Sequence, residues 1–218
     1  PSEEKGFYSL DDDMRQGLTK ALRAVRGKPL PKPPQLELAG PAKGLKLDGK
    51  LSAAWKRVPA VDFVDREGNR PEQATSCRIA YDAENLWFCF ENDEPQMDKL
   101  TAKATKRDST KPSIWDDDNV EVFVCPDVED RIHCYHFTVN AHGAILDEEN
   151  IDSYNSRKWS SEIEAKAGRE KNHWIAQMRI PLADLRIDPI VGRKIALNLY
   201  RNRVCGATDG TVSAWSAV

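Results

Sequence analysis

Several absences narrow what this chain can be. No apolar run approaches the roughly 20 residues that cross a bilayer as a helix. No charge of one sign dominates: 32 Lys and Arg stand against 35 Asp and Glu, a formal net charge of −3. That balance, with no long basic face, gives no electrostatic footprint for nucleic acid. There is no GxSxG elbow, no HExxH pair and no glycine-rich phosphate loop, so the common hydrolase, zincin and nucleotide signatures are missing. The five cysteines form no CxxC pair and no CxxCH haem-attachment site. No signal peptide is visible and the chain opens on Pro1. It therefore reads as a processed chain or an excised fragment, and the missing signal says little about compartment.

The composition itself is ordinary for a globular protein, 40% hydrophobic and 31% charged over 218 residues. Leu10, Met14, Leu18, Leu22 and Val25 recur at helical steps, with Ser9 suited to the start and Gly27 to the end. "KPLPKPP" (28–34) comes next, a polyproline-prone linker. Residues 1–35 are thus expected to be a helix and a Pro-rich linker, an appendage that is either the tail of an upstream domain, a brace packed on the main one or a simple linker region.

After residue 45 the period changes to that of strands. "TSCRIAYDAENLWFCFEND" (75–93) is two alternating runs about a turn-rich tetrapeptide, hence a hairpin. "NVEVFVC" (119–125) and "CYHFTVNAHG" (134–143) form a second hairpin with a longer loop. Cys125 and Cys134 flank that loop and can face each other; a disulfide and two buried thiols both satisfy the pattern. "HWIAQMRIPLADL" (173–185) is a strand that Pro181 must end or push to an edge, and a short helical turn is expected after it. "RKIALNLYRNRV" (193–204) and "TVSAWSAV" (211–218) complete the set. The expected fold is all-β, an antiparallel β-sandwich.

The most chemical stretch is "SIWDDDNVEVFVCP" (113–126). Strand period sends Val120, Val122 and Val124 to one face and Glu121 and Phe123 to the other. The aspartates Asp116, Asp117 and Asp118 suit a Ca²⁺ site by ligand type but lack EF-hand spacing, so Ca²⁺ stays an open expectation. Asp116 and Asp117 read as solvated loop residues and Asp118 as part of the loop's structure; one or two of the three can instead bond loop backbone amides and hold the tryptophan in place. Paired carboxylates Asp118 and Glu121, three apart on one strand, fit glycoside hydrolysis poorly. A sugar asks for an aromatic plane against its C–H face and rigid acceptors for its hydroxyls; Trp115 beside Glu121 offers both. Trp115 and Trp159 lie in polar surroundings, whereas Trp55, Trp87, Trp174 and Trp215 read as core or half-core. His133 and His136 fall on opposite strand faces, and the histidines read as isolated surface or loop residues.

Seven blocks in order resemble the family 9 carbohydrate-binding modules. They are "LKLDGKLSAAWKRVPAVDF" (45–63), "RIAYDAENLWFCFENDE" (78–94), "IWDDDNVEVFVCP" (114–126), "YHFTVNAHGAILD" (135–147), "HWIAQMRIPLADL" (173–185), "GRKIALNLYRNR" (192–203) and "SAWS" (213–216). The resemblance spans about 42–218. It implies a jelly-roll-like sandwich without catalysis of its own, a module of a secreted polysaccharide-degrading or cell-surface protein. The implied setting is extracellular or periplasmic, with covalent neighbour domains. The implied partner is a carbohydrate, a mono- or oligosaccharide or a glycan end, gripped between two tryptophans; some relatives carry structural calcium. By position, Trp115 corresponds to the first gripping tryptophan, Glu121 to the acid that bonds sugar hydroxyls, Asp118 to a structural loop acid, and Asn140 to a further contact. Thr138 stands where the family has a sugar-binding arginine. The family's second tryptophan comes after the "SAWS" strand, so here either a further segment or Trp159 completes the grip. Two other readings remain: a haem-b-binding redox sandwich using Met97 or Met178, and a structural module that positions a catalytic domain.

Overall fold

A computed structural model describes residues 34–38, 40, 42–129, 133–151, 154–156, 159–187, 190–206 and 210–216. The chain divides into two compact units, Pro1–Gln35 and Leu36–Val218. The expected helix over 9–27 and nearly all of the linker lie outside the described residues. The second unit is built from strands.

Its strands are β1 (Ala60–Asp62), β2 (Thr75–Tyr81), β3 (Asn85–Asp93), β4 (Asn119–Cys125), β5 (His133–Asn140), β6 (Ile145–Ile151), β7 (Tyr154–Ser156), β8 (Glu164–Arg169), β9 (His173–Pro181), β10 (Ala196–Arg203) and β11 (Thr211–Ala214). They form two antiparallel sheets, β1-β2-β3-β9-β8 and β11-β10-β4-β5-β6-β7. Both expected hairpins are present. In the first, Asp82 closes the turn, its Oδ1 accepting from the amides of Glu84 and Asn85. In the second, Cys125 and Cys134 are joined by a disulfide. Pro181 ends β9, as its missing N–H requires. The segment beyond it is a turn rather than a helix, with Arg186 at positive φ.

Alternation produces the core. Cys77, Ile79, Leu86, Phe88, Phe90, Trp174, Ala176 and Met178 from the first sheet meet Val120, Val122, Val124, Tyr135, Phe137, Val139 and Leu199 from the second. Each large apolar side chain fully buried there contributes about 1.5–3 kcal/mol.

The first sheet's outer face is covered by its own chain. Helix α1 (Ala53–Lys56) drops Trp55 onto Cys89 and Ile175, and the indole N–H donates to the Lys46 carbonyl. The turn before it is clasped by Gln177, whose Oε1 accepts from the amides of Asp48 and Gly49 while its Nε2 donates to the Lys50 carbonyl. Gly49 has φ +70°, and a Cβ there would lie 2.7 Å from the Ala167 carbonyl oxygen, so only glycine fits. The outer face of the second sheet is where the unassigned chemistry collects.

Candidate functional site

The loop bearing Trp115 is held from beneath by its own acids. The tryptophan sits on a single 3₁₀ turn, Ile114–Asp116, capped by Ser113, whose Oγ accepts from the Trp115 amide. Ile114 is buried with Ala104, Ala144 and Leu146, which anchors the turn. Asp117 is fully buried. Its carboxylate accepts from the amides of Lys103 (2.7 Å) and Ala104 (2.9 Å) and from Asn140 Nδ2 (2.8 Å). Asp118 accepts from the amides of Thr101, Val204 and Cys205. Asn119 donates to the carbonyls of Ile114 and Asp117. Asp118, expected to belong to the loop's structure, makes these three bonds to backbone amides. Asp117, expected in solvent, is instead a buried clamp: a carboxylate tolerates desolvation only when several donors meet it, and here three do. The aspartate run does not converge on a cation position, because Asp117 and Asp118 face backbone N–H groups. Among the described residues no group of three or more His, Cys, Asp or Glu could hold a metal ion. Among the described residues, the aspartate run therefore does not fit the calcium expectation.

With the loop fixed, Trp115 stands 37% exposed at the edge of the outer face. Register brings one row together there. Glu121 on β4 lies opposite Tyr200 on β10 and Thr138 on β5; Phe123 lies opposite Asn198 and His136; His136 lies opposite Glu148 on β6. His136, 5% exposed, is the centre of the row. Its Nε2 is 2.6 Å from Glu121 Oε2 and its Nδ1 is 3.5 Å from Glu148 Oε2. The Phe123 ring stacks on the imidazole at 3.9 Å and 11°, and the Trp115 ring at 5.6 Å and 27°. Burial opposes the charged imidazolium, but the bonds from Glu121 and Glu148 outweigh it, and the pKa rises above the ordinary 6.5. Glu121 Oε1 accepts from Asn202 Nδ2, which also donates to Asn119 Oδ1. Tyr200 packs edge-on against Phe123. It also lines an open pocket of about 410 Å³ with Arg66, Val212 and Ala214. The disulfide is the next outward pair along β4 and β5, so it closes one end of this row.

The residues expected to bind sugar separate into two groups. Trp115, Glu121 and Thr138 share the outer face; Glu121 is 8% exposed, and Thr138 is buried with its Oγ1 3.3 Å from His136 Nε2. Asn140 and Trp159 do not join them. Asn140 is buried, donating to the Ala104 carbonyl and Asp117 and accepting from the amides of His142 and Ala144. Both its side-chain heteroatoms are engaged in holding the loop. Trp159 packs on Tyr135 and Phe137, which belong to the inner face, so it cannot oppose Trp115 across a ligand. The haem candidates Met97 and Met178 both pack into the core.

His136, Glu148, Phe123, Tyr200 and Asn202 are site residues that sequence reasoning misses. For His136 a signal exists: alternation in "CYHFTVN" places it on the face of Thr138, and a paired second hairpin sets it beside Glu121. Reading it as an isolated histidine overlooks that cross-strand neighbour. Glu148 lies in "ILDEENI", where three adjacent acids conceal a strand. His133, by contrast, does fall on the opposite face, paired with Glu149 at 3.0 Å.

The architecture is an antiparallel β-sandwich with one outer face lined by aromatic and carboxylate side chains. Residues 47–218 match the family described as carbohydrate family 9 binding domain-like, and the chain belongs to it. Among solved structures, it is similar to a candidate carbohydrate-binding protein from Bacteroides uniformis (TM-score 0.59, 17% identity, 75% of this chain and 79% of that one). It is also similar to a family 9 carbohydrate-binding module from Caldicellulosiruptor kristjanssonii, solved with cellotriose (TM-score 0.58, 15% identity, 81% of this chain and 80% of that one) and with glucose (TM-score 0.56, 15% identity, 82% of each). At these identities the likeness is one of fold. No curated protein matches the chain.

Proposed function

We propose that this chain is a non-catalytic carbohydrate-binding module that holds a sugar on the outer face of the second sheet. The carrying observation is an exposed Trp115 ring held rigidly beside the Glu121–His136–Glu148 row. The sugar's C–H face packs on the indole, and its hydroxyls donate to Glu121, whose four lone-pair directions are only half used by His136 and Asn202. The gluco-configured ligands of the C. kristjanssonii module make glucose and cellotriose the first probes. The Cys125–Cys134 disulfide supports an extracellular or periplasmic setting, where such bonds persist. In that setting the module would serve neighbouring domains of a polysaccharide-processing or cell-surface protein.

Titration calorimetry against glucose, cellotriose and a panel of other neutral sugars tests this. Trp115→Ala should cost about 2 kcal/mol or more, about 30-fold in affinity, as for a central aromatic anchor. Its circular dichroism should stay native. Affinity equal to wild type in the variant would remove Trp115 from the site, and no binding of any neutral sugar would sink the reading.

A further inference from the structure

We infer that His136 is a positioning residue of the binding face: held as an imidazolium between two carboxylates, it fixes Glu121 for the ligand, and loss of its proton weakens binding. This rests on the sugar site proposed above.

The geometry leaves the ring little choice of state. Both nitrogens face carboxylate oxygens, Nε2 toward Glu121 and Nδ1 toward Glu148. A neutral imidazole has one N–H, so in either tautomer a bare lone pair would point at a carboxylate. The imidazolium donates on both sides. The Phe123 and Trp115 rings both stack on it, and their π clouds attract a cation. The elements packed on the ring bring three titratable neighbours: Glu121 from β4, Glu148 from β6 and, one ring away, Tyr200 from β10. The turn Ile114–Asp116 brings Trp115, and the adjacent Asp117 is turned away to the amides of Lys103 and Ala104. Burial opposes the charge, the two carboxylates favour it, and the balance is a pKa above 6.5.

The consequence for binding depends on which bond breaks. Deprotonation to the Nδ1–H tautomer frees Glu121; deprotonation to the Nε2–H tautomer sets a lone pair against Glu148. Either change disturbs the floor on which Trp115 rests. If only the protonated face binds, affinity is constant below the His136 pKa and falls toward tenfold per pH unit above it.

Two measurements test this. Long-range ¹H–¹⁵N correlation of the histidine rings, without sugar, reads the charge of His136 from pH 5.5 to 9.5. The expected result is two protonated nitrogens at pH 6.5, a pKa above that, and a lower pKa in Glu148→Gln. Calorimetry with glucose and cellotriose over the same range should show wild-type affinity falling at that pKa. The fall should move to lower pH in Glu148→Gln. In His136→Gln, affinity should be weaker and independent of pH. If His136→Gln does not fold, the shift in Glu148→Gln carries the test. A ring neutral at pH 6.5, or an affinity unchanged while His136 titrates, would overturn the inference. If no sugar binds at any pH, the sugar reading fails by itself, and the ring titration alone decides whether the doubly bonded imidazolium exists.

Discussion

Replacing Asp117 by alanine removes one carboxylate and leaves three donors to find new partners. Bonds to an ionised acceptor net about 1.5–3 kcal/mol each, an upper total of about 4.5–9 kcal/mol. Two of the three losses are softened. Lys103 is exposed, so water can reach its amide, and Asn140 Nδ2 keeps its bond to the Ala104 carbonyl. The Ala104 amide is buried and loses its partner outright. The expected cost is therefore about 3–5 kcal/mol, in the range left by a broken buried network. Urea unfolding should show a lower midpoint with an unchanged slope, and the amides of Lys103 and Ala104 should lose exchange protection first. Sugar affinity should fall with them, because residue 117 directly follows the turn that carries Trp115 and loses the side-chain bonds that tether it. Asp116 is the control: it has the same charge, is one residue away and is exposed, and Asp116→Ala should stay within about 0.5 kcal/mol of wild type. An Asp117→Ala protein within about 1 kcal/mol of wild type, or equal losses in both variants, would refute the reasoning.

Two further perturbations concern buried groups. Glu94 is fully buried and bonds Arg203 at 2.7 and 3.0 Å and Arg201 at 3.4 Å. Glu94→Gln removes the carboxylate bonded to both arginines, leaving only the less direct charges of Asp118 and Asp93, and should cost about 3–5 kcal/mol by denaturant titration. Burial raises the pKa of Glu94, but the Arg203 bonds lower it further, to a value below 4.5. Its contribution is therefore present above 4.5 and lost as pH falls through the lower folded value, an acid limb that Glu94→Gln should lack. Replacing Cys125 and Cys134 together by serine opens a link between residues nine apart and should lower stability by about 2–3 kcal/mol, read as a fall in thermal midpoint. An equal midpoint would show that the cross-link does not constrain the unfolded chain.

Much of the fold was legible because alternation is a local signal. "TSCRIAY" and "LWFCFEND" carry their faces in their own spelling, and Asp82 sits where a tight turn wants an acceptor. The strands β6 and β8 were harder. "ILDEENI" and "EAKAGR" hold too many charged residues to read as strands, because their acids meet partners distant in the chain: Asp147 meets Arg107, Glu149 meets Arg186 and His133, and Glu164 meets Arg179. The same limit governed the site. Trp115 and Glu121 were recognisable from one stretch, whereas the burial of Asp117 depends on amides fourteen and thirteen residues away.

The sequence by itself therefore determined most of the strand faces, the sandwich class and the family. Those rest on side-chain period and block order, which are properties of contiguous residues. Tertiary structure decided everything that depends on a partner remote in the chain. It turned Asn140 and Asp117 from surface candidates into loop anchors and sent Trp159 to the inner face. It also made His136 the centre of the outer-face row by bringing Glu121 and Glu148 to its two nitrogens from fifteen and twelve residues away. A charge in a strand has no meaning until its neighbour across the ladder is known, since the same group is a solvated decoration alone and a fixed, functional ion when paired.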